Sequence, residues 1–516
     1  MLEIVTVLAA IGSLGMGLLR WLRVSQREHY IAGSCWRTAW RWARRRPPNL
    51  VLGFVIDGAL IATIVFSVAD LRTPMLVAAL LAVVTHAAFP WPMPVRGNPP
   101  LRFTRRATTL TALAVAISLL IVTVVGLLSS WIVGLSLAAG LSFLAVDAAA
   151  QVAVPLERRA LDAHRRRAET RLRQIDPYVI AVTGSWGKTS TKNHIRDLIA
   201  GSAEVVASPA SWNNTAGLSR TVNEHLTPTT EVMVAEMGTY GPGEIAEMCS
   251  WVRPRIGIIC AIGPMHLERM RTIDTIVEAK SEILDEVEVA ILWTDDTRLD
   301  AVADRLADNG RRVIRVGTRG HRPQEAEVEV EVAADTGVIT VWVDGDEIGS
   351  VPLDGGPHPG NLGCAVAAAI AYGVAPRDIG NRLDTLVNPD HRATVGTSDT
   401  GVIVIDDTFN SNPAGAAAAI DRLALAVPGK RVVVTPGMVE LGPVQDAENE
   451  RLGRAVIESG ATLVIVGWTN RAALQRGGGD AAVTVPDRET ARLWVREHLG
   501  AGDGVLWEND LPDHYP

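Results

Sequence analysis

The stretch AVTGSWGKTSTKNH, residues 181–194, runs from a β-branched segment through a glycine turn into a helix-forming segment. It contains the first lysine of the chain, Lys188. Only four lysines (Lys188, Lys192, Lys280 and Lys430) occur among the 49 Lys and Arg residues. A glycine-rich turn between a strand and a helix can point its backbone N–H groups at a phosphate chain, and the helix N-terminus adds positive potential. A compact ammonium suits that cradle better than a bulkier, planar guanidinium. Gly184, Ser185, Gly187, Lys188, Thr189 and Ser190 are therefore the candidate phosphate-binding residues. Lys188 would neutralise the β/γ oxygens, and Thr189 would offer its hydroxyl to Mg²⁺. The spacing departs from the usual P-loop because Val182 stands at the outer glycine position.

The 516 residues divide sharply in character. Five apolar stretches fill the first part: Leu2–Leu19, Leu50–Ala69, Pro74–Phe89, Ala107–Leu128 and Trp131–Val154. Each is near the length that crosses a bilayer. The first lacks the basic start of a cleaved signal and reads as retained. Residues 21–49 carry seven Arg and one acid, residues 92–106 carry four Arg, and ERRALDAHRRRAETRLR (157–173) carries seven. The other two connections are short and nearly uncharged. Basic and neutral loops thus alternate, which predicts a multi-pass protein of the cell membrane with its N-terminus outside and its soluble part in the cytoplasm. Asp57 and His86 fall inside apolar spans. His86 reads as lying near an interface, whereas Asp57 is open between a pair with a neighbouring helix and a functional group. The arginine-rich loops suit anionic lipid headgroups. The net charge of −8 excludes a nucleic-acid binder, and four dispersed cysteines give neither a disulfide framework nor a zinc site.

From Tyr178 onward, strand-like runs ending in glycine alternate with amphipathic segments, as in YVIAVTG, EVMVAEMG and RIGIICAIG. This pattern predicts a parallel α/β sheet. Residues 311–353 alternate with period two and read as a β-hairpin insertion. After a hinge near 390–395, a second strand-helix series begins with GVIVIDD, followed by KRVVVTP, ATLVIVGW and DGVLWEND. The expected organisation is a transmembrane domain over 1–155, a basic juxtamembrane linker over 156–177, a central ATP-binding domain over 178–390 and a C-terminal domain over 391–516. The fold class is an α-helical membrane domain of about five transmembrane helices. An α/β P-loop ATPase domain and a smaller Rossmann-like α/β domain follow it.

The motifs TGSWGKTSTK, SWNNTAGL, VAEMGTYGPGEIAEM, GPMHLERMRTIDTIVEAKSEIL, VIDDTFNSNPAGAAAAIDRL and TPGMVELG, in this order and spacing, resemble the Mur ligase family, in particular its D-alanyl-D-alanine-adding branch. The resemblance covers residues 178–490. It implies ATP-driven amide formation, in which a carboxylate takes the γ-phosphate and an amine then displaces it. It also implies two Mg²⁺ ions, with Thr189 and Glu236 on the first and His266 on the second. Read alone, Lys280 is a surface helix cation. The resemblance instead makes it a carbamylated lysine that positions the second ion, a reaction open to a primary amine and closed to Arg. It further implies that Arg392 reaches the γ-phosphate, that Asp407 contacts the ribose, that Phe409 and Asn410 close the nucleotide site, and that Asn213 and Asn214 face the acyl substrate. Lys192 reads as the exposed side of its helix and Lys430 as a solvated turn cation.

Three departures from the family pattern stand out. GPHPGN puts His358 at the adenine contact and keeps Asn361. The family's Gly-Asp-Met reads Pro436-Gly437-Met438, so one carboxylate near the incoming amine is missing. The tail LWENDLPDHYP carries Glu508, Asp510 and Asp513 in place of a glycine-and-basic ending. These acids read as a solvated tail, or otherwise as a receptor for a cationic amine. Membrane spans replace the family's UDP-sugar-recognising domain. The expected substrates are therefore an acid, lipid-linked or polymeric at the membrane, and a small amine. The expected partners are membrane lipids and a partner membrane subunit or a second copy. A poly-γ-glutamate-type synthetase and an ATP-driven exporter are the alternative readings.

Overall fold

The computed structural model describes residues 1–516 except 29, 46, 89–100, 322–325, 334–336, 353–357, 387–393, 409–410 and 512–516. It separates into two compact units, Met1–Ala160 and Leu161–Asp510.

The first unit is helical. Its elements are α1 (Leu2–Arg27), α2 (Ser34–Arg45), α3 (Pro47–Val68), α4 (Arg72–Ala88), α5 (Arg105–Leu128), α6 (Trp131–Gly140) and α7 (Ser142–Ile175). Three of these, α1, α3 and α5, are long and apolar enough to cross a membrane; a fourth span is reached if the bent pair α6–α7 counts as one. The sequence pattern predicts five spans, and the difference lies in two places. The segment expected over Pro74–Phe89 is a 17-residue helix. The expected Trp131–Val154 span is broken by a 73° bend between Gly140 and Ser142. The basic stretch after residue 155 continues as helix to Ile175.

Helices in this unit approach closely where side chains are small. A Cβ added to Gly134 of α6 would lie 2.8 Å from the Val122 carbonyl of α5. Large apolar side chains such as Ile4, Leu8, Phe54, Ile61 and Leu120 face outward, as lipid-facing residues must. Asp57 is exposed on α3 and makes no hydrogen bond or ion pair to a described residue, so of the two open readings the pair with a neighbouring helix is not formed. His86 is buried, with Nδ1 2.9 Å from Ser13 Oγ.

The second unit contains two sheets. The first holds β1 (Tyr178–Thr183), β2 (Val205–Ala207), β3 (Val232–Glu236), β4 (Ile256–Ile259), β5 (Val289–Trp293), β6 (Arg312–Thr318), β7 (Val328–Val332), β8 (Val338–Val343) and β9 (Asp346–Pro352). Their order is β2-β3-β1-β4-β5-β6-β7-β8-β9. Strands β2 to β7 run parallel, and β8 and β9 extend the sheet antiparallel. The expected hairpin insertion is thus the far edge of the same sheet. Helices cover both faces, which is why β1 and β3 read as unbroken apolar runs rather than alternating ones.

The second sheet holds β10 (Thr394–Thr397), β11 (Ile403–Asp407), β12 (Arg431–Thr435), β13 (Thr462–Val466), β14 (Val483–Val485) and β15 (Gly504–Glu508), in the order β10-β11-β15-β12-β13-β14. Among the described residues, only β10 is antiparallel to its neighbour. The last strand, β15, therefore inserts between β11 and β12. This places Glu508 beside Asp407 in the interior of the sheet.

Candidate active site

Strand β1 ends at Thr183, and α8 (Lys188–Ile199) begins after four intervening residues. The connecting loop is tied to the end of β4 and the loop after it. Ser185 N donates to Ala261 O (2.8 Å), and Ser185 Oγ lies 3.2 Å from Gly263 O and accepts from Gly263 N at 3.0 Å. Gly187 caps α8 with φ +78°, and a Cβ there would fall 2.1 Å from Asn361 Oδ1. A side chain at 187 would therefore be strained by its backbone and blocked by Asn361. Ser190 is buried on α8.

Two lysine amino groups meet on one loop oxygen. Lys188 Nζ donates to Gly184 O at 2.8 Å, and Lys280 Nζ donates to the same oxygen at 2.9 Å. Lys280, on the helix Ile273–Ser281, is 3% exposed and so is no surface cation. Burial first, and then the neighbouring Lys188 charge, hold its amine well below the usual lysine range. A second cluster forms at the end of β3. Glu236 accepts from Thr189 Oγ1 (2.9 Å), Asn213 Nδ2 (3.0 Å) and Lys192 Nζ (3.3 Å). Lys192 also donates to Ala210 O at 2.6 Å. Expected on the exposed side of its helix, Lys192 is 1% exposed. It was missed because helical periodicity does not show that a loop from β2 folds back over that face. Asn214, expected at the acyl substrate, caps the helix Thr215–Glu224 by accepting from Gly217 N at 2.9 Å.

His266, at φ +61°, sits on Glu440 with Nδ1···Oε2 at 2.5 Å. Arg269 Nη2 reaches the same carboxylate at 3.4 Å, and Arg269 lies 4.6 Å over the Tyr240 ring. This cluster joins the two sheet domains: Glu268 N donates to Glu440 O at 3.3 Å, and Trp186 of the phosphate loop packs against the apolar core of the second domain. Neither Glu440 nor Trp186 was singled out from the sequence, and no local pattern marks them.

His358 caps the helix Pro359–Tyr372 by accepting from Gly360 N at 3.2 Å. Asp407 is half-buried on β11, and its carbonyl accepts from Asn509 N at 3.0 Å. Arg392, Phe409 and Asn410 lie outside the described residues. Glu508 corrects the reading of a solvated tail: it is fully buried, held by Ser411 and Thr435. Burial, the leading cause, pushes its carboxyl up to about 7.

Thr189 and Glu236 supply hard oxygen donors side by side and fit Mg²⁺, which is held by one or two carboxylates with phosphate oxygens and waters. Among the described residues, no group of three His, Cys, Asp or Glu side chains could hold a metal. His266 is engaged by Glu440, and Lys280, as an amine on Gly184 O, offers no oxygen.

Comparison with known proteins places these motifs. Residues 182–369 match the Mur ligase middle domain and residues 391–508 the Mur ligase glutamate ligase domain. The UDP-N-acetylmuramoyl-tripeptide–D-alanyl-D-alanine ligase of Mycobacterium leprae is 31% identical over 368 residues, covering 64% of this chain and 70% of the relative. That of Bacillus subtilis is 26% identical, covering 67% and 76%. Among solved structures, MurF from Acinetobacter baumannii aligns with a TM-score of 0.57 at 26% identity, covering 66% of this chain and 75% of that one. MurF ligase from Thermotoga maritima in complex with ADP shares the fold, with a TM-score of 0.58 at 24% identity, covering 68% and 80%. The chain belongs to the Mur ligase family, as an ATP-dependent, amide-bond-forming ligase whose paired catalytic domains follow a multi-pass helical membrane unit in sequence and lie in the cytoplasm.

Proposed function

We propose that this ligase works through an acyl phosphate on an acid presented at the membrane, either lipid-linked or polymeric. The carboxylate oxygen of the acid attacks the γ-phosphorus of ATP and the bond to ADP breaks. An amine nitrogen then attacks the acyl carbon, and phosphate leaves as the amide forms. The observation that carries this reading is the pair of lysines on Gly184 O, one partly open for phosphate and the other buried with its amine biased to neutrality.

Lys188 neutralises phosphate oxygens, the loop N–H groups orient them, and Asn361 fills the space a side chain at 187 would need. A neutral amine is the form that adds to CO₂, so burial prepares Lys280 for carbamylation, which would turn it into an oxygen donor. Thr189 and Glu236 would hold one Mg²⁺, and His266 with carbamylated Lys280 the other; when bound, these ions neutralise charge on the phosphates. Asn213 holds the Glu236 carboxylate in place. Asp407 would meet the ribose, His358 would face the adenine edge beside Asn361, and Arg392, Phe409 and Asn410 would complete closure over the nucleotide.

In the membrane unit, α4 rises about 25 Å over its 17 residues, at the short end of a spanning helix. Counted with the bent α6–α7 pair, it makes five crossings, with the N-terminus outside.

Purified full-length protein should release ADP and phosphate only when an acid and an amine are both supplied. Lys188→Ala should abolish that release, and turnover that survives the substitution would refute the assignment.

A further inference from the structure

The last turns of α1 bury two arginines, Arg20 at 9% and Arg23 at 5% exposure. Arg20 donates through Nη2 to Ala87 O at the end of α4 (3.1 Å), and its Nη1 has no hydrogen-bond partner. Helix α2 lies against the same end of α1, because Cys35 Sγ reaches Trp21 O at 3.4 Å. Its first N–H groups, those of Cys35 and Trp36, donate to Asp147 of α7 at 3.1 and 2.8 Å.

Helix α2 has two unlike faces. Trp36, Arg37, Trp40 and Arg44 are exposed, with the Trp36 and Trp40 rings stacked at 5.9 Å and Arg44 lying 4.2 Å over Trp40. Aromatic and cationic side chains on one face of a helix beside membrane spans place it in the headgroup layer. On its inner face Ser34 and Thr38 are fully buried, and neither Ser34 Oγ nor Thr38 Oγ1 has a hydrogen-bond partner. Among the described residues, the only acid buried in this unit is Asp147, and its oxygens are taken by the N–H groups of α2.

A guanidinium nitrogen and two hydroxyls, buried and unanswered, make a costly arrangement unless something accepts from them. The donors are a charged fork and neutral hydroxyls, the set that matches a phosphate with several oxygens. They lie at the arginine-bearing end of α1, against α2. We propose that Arg20, with Ser34 and Thr38, binds the phosphate of a lipid headgroup on the cytoplasmic side. This deepens the proposed function, and rests on it only for the claim that the bound lipid carries the acid.

The test uses full-length protein in phosphatidylcholine nanodiscs doped with a polyprenyl phosphate, without nucleotide, read by native mass spectrometry. Wild type should retain the phosphate lipid selectively. Arg20→Gln should lower that retention about tenfold or more, the worth of one charge-assisted hydrogen bond. Thr38→Val, which keeps shape and all charges, should lower it less, and Arg44→Gln on the outer face should leave it unchanged. Thr38→Val supplies the reading if Arg20→Gln does not fold. Equal retention in Thr38→Val, Arg20→Gln and wild type overturns the proposal. So does Arg20-dependent binding of inorganic pyrophosphate with no enrichment of the lipid, which would assign the site to a free anion. Because no nucleotide is present, failure of the ligase reading would leave this result intact.

Discussion

Replacing Lys192 by Met tests the buried cluster at Glu236 directly. Both side chains are 1% exposed, and the nitrogen lies 3.3 Å from Glu236 Oε2 and 2.6 Å from Ala210 O. Methionine keeps most of the aliphatic stem and removes the charge. Breaking a buried pair by removing one partner costs about 3–5 kcal/mol, because the other charge is left uncompensated. Glu236 retains Thr189 and Asn213 as donors, which favours the lower end, near 3 kcal/mol by the same rule. For a domain of this size that corresponds to a fall in Tm of about 6–12 °C. An exposed helix lysine would cost no more than about 0.5 kcal/mol. Scanning calorimetry of the full-length protein in detergent, following the transition of the ligase unit, gives the comparison. Lys192→Met combined with Glu236→Gln should recover more than half of the loss, since the stranded charge is then gone. A fall of less than about 2 °C, or a double variant no better than the single one, would refute the reasoning.

Three further outcomes are expected. Lys280→Met should end turnover yet raise Tm at neutral pH in CO₂-free buffer, where the amine is free: the folded pKa is depressed, so the unfolded chain binds the proton first as pH falls, and the native amine is a liability throughout that window; ¹³C NMR with labelled bicarbonate should show a carbamate signal in wild type and none in the variant. Glu508, raised from 4.5 to about 7, makes the second domain lose stability as pH rises through that interval, by up to about 3 kcal/mol; Glu508→Gln should flatten this slope and stabilise the protein above pH 7, as followed by thermal melts across pH. Gly187→Ala should weaken nucleotide binding about tenfold or more and cost about 1–3 kcal/mol, because the turn has φ +78° and Asn361 fills the space; titration with a nucleotide analogue and thermal melting measure the two effects.

The sequence by itself determined the division into an apolar helical part and an α/β part. Hydrophobic runs and strand-glycine-helix punctuation are local signals, and both survive into the fold, the five runs as three or four candidate spans. It also marked the loop around Lys188, because scarcity of lysine and a glycine turn are visible in one dimension. Tertiary structure decided what no local pattern carries. Lys280 and Lys188 are far apart in sequence, yet both end on Gly184 O. Lys192 is buried because a separate loop folds over its helix. Glu508 stands near the end of the chain, but β15 inserts between β11 and β12, and so an acid that reads as solvated becomes the most enclosed carboxyl beside Asp407. His266 and Glu440 likewise meet only across the two domains. Periodicity reports which face of an element is apolar; which other segment covers a polar face depends on strand order and crossover, and these are properties of the assembled chain.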